Sequence, residues 1–374
     1  MVWSFIINGN KINNSTIYNI DHRLITAKLE HYGVRGSSYD LVSSFLSGRR
    51  QITVVGGEQS SPGEIGDRSV PQGSNVGNVL FLVMMNDLPH VTEKAEFIMY
   101  ADDICAIVAG ETDQSLAANV VYTMEALINW FTINGMQVNI DKTNLLSFSL
   151  HRSAADLPAV IVQDTAVPYD TCAKFVGFHF DTGLQWHYHI DSVCAKLNGA
   201  FYAISRLVPT LSRENLLKAY YGYFQSALTY GIELWGLAAD RERPFLLQKR
   251  MVRRMMRAAP DEPARALFLQ LGVLTAPCLY VLEVAKYVRQ NLAHFTPLST
   301  TARLQNRRKN DLTLNTARLA KTEKTVHIMG PKIYNKIPDD IRESQSYFSF
   351  NCKLKKYLSK KAYYSVDDYL NDKF

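Results

Sequence analysis

Tyr100-Ala101-Asp102-Asp103 sets two adjacent carboxylates between the apolar runs Phe97-Ile98-Met99 and Ile104-Cys105-Ala106-Ile107-Val108. Neighbouring carboxylates repel one another, and a fold keeps both ionised at low cost when a cation such as Mg²⁺ sits between them. Enzymes that move phosphate groups use two such ions to stabilise the attacking and leaving oxygens. An isolated Asp-Asp pair also reads as a solvated turn, so its neighbours must decide between the two readings. The flanking runs predict two short strands, with the Asp pair as the turn of a hairpin that aims both side chains into solvent.

Hydrophobic spacing predicts the elements that would hold this hairpin. Leu24, Ala27 and Leu29, followed by Gly33 and Gly36, predict a short helix from Asp21, and 39–46 a second one closed at Ser47-Gly48. Residues 51–55 read as a strand with Ser60-Ser61-Pro62-Gly63 as its turn. Ser74, after Pro71-Gln72-Gly73, is placed to cap a helix over 75–87. Leu116, Val120, Met124, Leu127, Ile128 and Phe131 then recur at helical spacing up to Gly135. Residues 139–148 and 175–180 look like strands of a further small sheet. Beyond them the pattern turns helical. Ile190, Val193, Leu197, Ala200 and Ile204 share one face, and Ser212 caps a long run toward Trp235. Residues 1–20 are rich in Asn and Ile and show no strong period and no clear relation to the remainder of the chain.

The chain has 374 residues, 47% of them hydrophobic and 20% charged, which is a globular composition with room for two or three domains. No apolar run approaches the roughly 20 residues of a membrane helix, and the start lacks a basic segment followed by a cleavage-like site. The expectation is an intracellular protein, in cytoplasm or nucleus, without a membrane partner. Five scattered cysteines with no C-x-x-C pair predict neither a disulfide framework nor a zinc knuckle. The net charge of +6 conceals an asymmetry: residues 1–240 hold 15 Lys/Arg against 23 Asp/Glu, and residues 241–374 hold 26 against 12. A basic module of this kind is the footprint of polyanion binding, nucleic acid above all, or else a solvated basic tail. Over 245–258, Lys249, Arg250, Arg253, Arg254 and Arg257 interleave with Leu247, Met251 and Met255. That face tracks a phosphate backbone or forms a solvated stripe. Residues 296–325 are polar and basic with little periodicity and read as a linker or mobile loop.

Four segments occur in order: Pro71-Gln72-Gly73-Ser74, Tyr100-Ala101-Asp102-Asp103, Asn139-Ile140-Asp141-Lys142-Thr143 and Phe175-Val176-Gly177. As an ordered set they resemble the palm and primer-side motifs of reverse transcriptases, specifically those of jockey-like non-LTR (LINE) retrotransposons. Gly33-Val34-Arg35-Gly36, Asn86-Asp87-Leu88-Pro89, Leu184-Gln185-Trp186, Tyr230-Gly231 with Trp235-Gly236, and Tyr334-Asn335-Lys336-Ile337-Pro338 extend the likeness from about residue 21 to the end.

The resemblance implies an α+β fold: a polymerase palm, an antiparallel sheet with packed helices, followed by a mostly helical thumb and a basic C-terminal region. Its boundaries would be 1–20 for an atypical N-terminal segment, 21–180 for a partial palm, 181–295 for thumb and connection, and 296–374 for the basic region. It implies RNA-directed DNA polymerase chemistry with an RNA template, a DNA primer, deoxynucleoside triphosphates and Mg²⁺ or Mn²⁺. Asp102 and Asp103 would ligate the metals, with Lys142 near the leaving pyrophosphate. Gln72, Gly73 and Tyr100 would lie along template and nucleotide, Phe175 and Gly177 at the primer end, and Arg250 and Arg254 along the duplex. An exposed turn lysine remains the other reading of Lys142, and a plain core strand that of Phe175.

One feature of the family is missing. A further metal-binding Asp would fall on Ile12, and an aromatic and a second Asp on Ile17 and Tyr18. Asn13, Asn14 and Asn19 offer neutral amides, which substitute poorly for a bridging carboxylate. Ser69 and Asn78 also stand where the family has glycine and proline. The expectation is little or no polymerase activity, a nucleic-acid-binding remnant being the main alternative. Two further alternatives are a degenerate chain lacking the central strand of the sheet and a maturase-type polymerase.

Overall fold

The computed structural model describes residues 2–8, 21–68, 70, 74–136, 138, 140, 143–148, 157–297 and 311–372. The chain divides into two compact units, Met1–Gly183 and Leu184–Phe374.

The first unit opens with β1 (Val2–Asn8), α1 (His22–His31) and α2 (Ser37–Leu46). Two small ribbons come next: β2 (Arg50–Gln51) with β5 (Gly63–Glu64), and β3 (Val54–Val55) with β4 (Glu58–Gln59). The single strand expected over 51–55 is therefore split between two ribbons, with all four of these residues of β2 and β3 exposed. Then come α3 (Asn75–Met85), β6 (Ala95–Tyr100), β7 (Asp103–Gly110), α4 (Asp113–Ile133) and β8 (Thr143–Phe148). Two more hairpins close the unit, β9 (Val160–Val162) with β10 (Thr165–Val167), and β11 (Cys172–Phe175) with β12 (Phe178–Asp181). Ser74 caps α3 as its sequence position predicts, accepting from the Gly77 N–H at 3.0 Å.

β6, β7, β1 and β8 form one sheet in that order, every neighbouring pair antiparallel. With α3 and α4 as crossovers this is a β-α-β-β-α-β arrangement. Two expectations change. The N-terminal segment is not unrelated to the rest, because β1 is an inner strand held by β7 on one side and β8 on the other. Likewise 143–148 joins this main sheet rather than a separate one, which Leu145 and Leu146, both fully buried, make favourable.

β7 is covered on both faces. Ile104 packs with Ile25, Leu80, Met84 and Phe131, and Ala106 and Val108 with Leu116, Val120 and Met124, so these three face the helices. Cys105 and Ile107 point the other way, against Leu146, Ala173, Phe175 and Phe180. Strand alternation places Asp103 on this second face with Cys105. α1 is fastened to the far end of α3 by Lys28, whose Nζ donates to the Met84 carbonyl and to Asp87 Oδ1, each at 2.8 Å.

The second unit is helical: α5 (His187–Leu207), α6 (Arg213–Ala219), a π-helical stretch (Tyr220–Gln225), α7 (Ser226–Thr229), α8 (Ile232–Trp235), α9 (Glu242–Met256), α10 (Ala264–Leu271) and α11 (Ala276–Gln290). After the basic segment come α12 (Ala320–Glu323), α13 (Val326–Tyr334), α14 (Asp339–Arg342), α15 (Tyr347–Lys361) and α16 (Val366–Asn371). Ser212 does cap α6, but the long run expected toward Trp235 passes through the π-helical stretch and breaks at Tyr230-Gly231. Buried Gln248 is fully satisfied, donating to Tyr220 Oη and the Leu274 carbonyl and accepting from the Ala276 N–H. Among the described residues no single helix is long and apolar enough to cross a membrane. Mixed helix and strand with small antiparallel sheets matches the expected α+β class.

Candidate active site

The sheet brings three strand ends together. Asn8, the last residue of β1, lies opposite Ile104 on β7 and opposite Thr143 on β8. Asp103 heads β7 and pairs with Tyr100, the last residue of β6. The turn between β6 and β7 is therefore Ala101-Asp102, so the Asp pair does not form the turn by itself: Asp102 is a turn residue and Asp103 a strand residue. Ala101 holds a positive φ of 53°, a conformation that costs a non-glycine residue on the order of 1 kcal/mol.

Asp103 is half-buried, and its pKa is raised from the usual carboxylate value. Loss of solvation is the largest cause, and the negative charge of Asp102 adds to it. Two groups pull the other way: the backbone N–H of Val176, which donates to the carboxylate, and the nearby charge of Lys174. Both come from the β11–β12 hairpin. Its turn, Val176-Gly177, has φ values of 44° and 79°, the pair of positive angles that a type I′ turn requires. Phe175 and Phe180 seat this hairpin on the Cys105 face of the sheet. The continuous strand expected over 175–180 is thus a hairpin, with Phe175 in the packing and Gly177 in the turn. Cys105, two residues from Asp103, is pushed up to about 12 by burial, so its thiol stays protonated and inert.

The pair presents carboxylate oxygens under mutual repulsion, a donor set that fits one divalent cation. A second bridged ion needs a carboxylate from the neighbouring strand, and residues 1–20 contain no Asp or Glu. Asp21, the first acidic residue, is the N-cap of α1, accepting from the Arg23 N–H at 2.9 Å, and lies 3.8 Å from Arg68 Nε. Among the described residues no group of three or more His, Cys, Asp or Glu could hold a metal ion.

Of the other site residues expected from the sequence, Tyr100 is 65% exposed on the edge strand. Gln72, Gly73 and Lys142 lie outside the described residues, as do Ile12, Asn13, Asn14, Ile17, Tyr18, Asn19 and Ser69. Arg250 and Arg254 belong to the second unit. Arg250 sits 5.2 Å from the ring centroid of Phe201, and Arg254 donates to the Ser205 carbonyl at 3.3 Å. Arg257 donates to the Val208 carbonyl at 3.0 Å, so two arginines serve the carbonyl-rich C-terminus of α5. Lys174 and the Val176 N–H were not singled out from the sequence. Lys174 adjoins Phe175 and was within reach of inspection, whereas a backbone donor leaves no compositional signal.

Residues 15–180 match the family model for reverse transcriptase (RNA-dependent DNA polymerase). The chain is 25% identical over 209 residues to the probable RNA-directed DNA polymerase from transposon X-element of Drosophila melanogaster, covering 54% of this chain and 23% of that protein. It is 26% identical over 233 residues to the RNA-directed DNA polymerase from mobile element jockey of Drosophila funebris, covering 58% and 25%. The probable RNA-directed DNA polymerase from transposon BS of Drosophila melanogaster is 26% identical over 240 residues, covering 60% and 26%. The aligned part thus spans about a quarter of each relative's length.

Proposed function

We propose that this chain, which carries a reverse transcriptase domain of the jockey-like non-LTR retrotransposon kind, engages an RNA template and DNA primer but transfers nucleotides poorly. The observation that carries the reading is the asymmetry of the acidic site: Asp102 and Asp103 stand at one strand end, and the segment supplying the neighbouring strand has no carboxylate. Reverse transcriptases are divalent-metal dependent as a family, and Asp102 and Asp103 would hold the ion in this chain. When bound, such an ion supplies positive charge to triphosphate oxygens. The chain's own residues do the rest. The Val176 N–H and Lys174 orient Asp103, and the β11–β12 hairpin holds its face of the sheet.

In this reading the four-stranded sheet with its helices is the palm, extending over 21–180 with β1 contributed from 1–20. Residues 181–295 are thumb and connection, and 296–374 the basic region. Gln72, Gly73 and Lys142 keep the nucleotide and template roles of the family motifs, and Phe175 and Gly177 the primer side. The excess of 14 positive charges over residues 241–374 supports binding of a polyanion. A non-catalytic nucleic-acid-binding role is the second reading, favoured by the same missing carboxylate.

Fluorescence anisotropy with a labelled RNA–DNA duplex tests the binding half. The expected result is saturable binding whose affinity falls linearly on a logarithmic scale as salt rises. Absence of duplex binding by the folded chain at low salt contradicts it.

A further inference from the structure

The second unit contains a cavity of about 640 Å³, well inside the range of roughly 300–1,000 Å³ found for small-molecule sites. Its walls come from four places in the sequence: Trp186 ahead of α5, Glu233 and Leu234 on α8, Tyr287 on α11, and Lys321 and Lys324 at α12. None of these residues belongs to the acidic site on the sheet, which lies in the other unit.

Three features separate this cavity from a packing defect. First, Trp186 is held in place. It adopts a left-handed backbone conformation with φ 69°, and its ring meets His189 edge-on at 5.9 Å, which in turn meets buried Trp235 at 5.9 Å. Strained backbone persists where the surroundings over-determine it, and such places cluster at ligand sites. The adjoining Gln185 is fixed as well: its Oε1 lies 3.0 Å from His187 Nε2, and His187 Nδ1 lies 2.6 Å from Asp240. Second, a carboxylate stands in a largely apolar wall. Glu233 is partly buried, and its pKa is raised by lost solvation and by the charge of Glu283, while its own backbone N–H and the charge of Lys286 oppose this. Third, Lys321 and Lys324, three positions apart in the chain, both line the cavity and are both exposed.

Aromatic walls, a carboxylate and a pair of cations match the three parts of a nucleotide. Aromatic side chains stack any base, at about 1–3 kcal/mol each. Two lysines suit a phosphate. The carboxylate chooses among the bases. It accepts best from two adjacent N–H donors, and guanine alone presents them, at N1 and N2 on its pairing edge. Uracil flanks its one N–H with carbonyls that a carboxylate repels, and adenine and cytosine offer a single amino group.

We infer that the cavity bounded by Trp186, Glu233, Tyr287, Lys321 and Lys324 binds one unpaired guanine nucleotide, with the base against the aromatic wall, Glu233 on its N–H edge and the lysines on its phosphate. The inference stands apart from the palm reading, since a mononucleotide assay without divalent metal does not depend on polymerisation.

The test is isothermal calorimetry of the full chain, in EDTA, with the four ribonucleoside 5′-monophosphates and with inorganic phosphate. Guanosine monophosphate is expected to bind saturably and about tenfold or more tighter than the other three, as one to two lost hydrogen bonds imply. Glu233→Gln should abolish that preference, and Lys321→Ala with Lys324→Ala should weaken all four nucleotides alike. Tyr287→Ala, assayed after circular dichroism confirms folding, should weaken them further. Asp102→Ala should leave the affinity unchanged. Equal binding of all four bases, phosphate binding as tightly as the nucleotide, loss of binding in Asp102→Ala, or no binding by folded protein each overturns the inference.

Discussion

The backbone N–H of Val176 donates a hydrogen bond to the carboxylate of Asp103, joining the turn of one hairpin to the first residue of another strand. The two segments are more than seventy positions apart in sequence. Their contact means that the β11–β12 turn and the acidic site must fold together, and that a change in either is felt by both.

Val176 supplies that donor at some cost. A β-branched residue at φ 44° is strained, while asparagine is at home in the first position of a type I′ turn. Val176→Asn retains the N–H and is expected to stabilise the chain by about 1 kcal/mol. Urea unfolding measures this, and a destabilised variant would show that the valine side chain has a packing role that outweighs the strain.

Asp103 titrates above its usual value because it is desolvated and sits beside Asp102. A divalent cation removes both penalties and should raise the melting temperature in proportion to ligand binding. In Asp102→Asn with Asp103→Asn the metal-dependent rise should vanish. An equal rise in this double variant would place the ion elsewhere.

Glu233 also has a raised pKa, again led by desolvation. The folded state then holds its proton to higher pH than the unfolded state. Stability from this group is present at low pH and is lost as pH rises through the folded-state pKa. Glu233→Gln should therefore melt higher than the parent chain at pH 8, with the difference narrowing toward pH 4. Thermal melts across that range check the sign, and a constant difference would contradict it.

Gly236 follows Trp235 where a side chain has no room. A Cβ there would lie 2.5 Å from Cδ2 of buried Tyr280 and 2.6 Å from the Ile232 carbonyl oxygen. Gly236→Ala should cost about 1–3 kcal/mol through overpacking. Tyr280→Leu in the same chain should recover part of the loss, and no recovery would locate the strain at the Ile232 carbonyl instead.

The chemistry-bearing residues were legible because they are local. Tyr100 to Asp103 flanked by apolar runs predicts a hairpin from the twelve letters of 97–108, and Ser74 predicts its cap from one. Helical periodicity likewise reveals α4 and α5, where a buried face repeats over five turns or more. Long-range pairing was not legible. Nothing in Val2–Asn8 distinguishes an inner strand from an irregular lead segment until β7 and β8 are seen on either side of it. The split of 51–55 into two ribbons depends on turn geometry, not on hydrophobicity. The arginines of α9 illustrate a different limit. Their spacing shows a basic face, but pairing Arg254 and Arg257 with the end of α5 requires the tertiary fold.

On the proposed reading, an acidic site with carboxylates from one strand end lacks what two-metal nucleotidyl transfer needs. Primer extension on a poly(rA) template with an oligo(dT) primer, in Mg²⁺ and separately in Mn²⁺, tests it most directly. Incorporation is expected at or near the level of a no-enzyme control, with little change in Asp102→Ala. Robust incorporation that Asp102→Ala abolishes would contradict it.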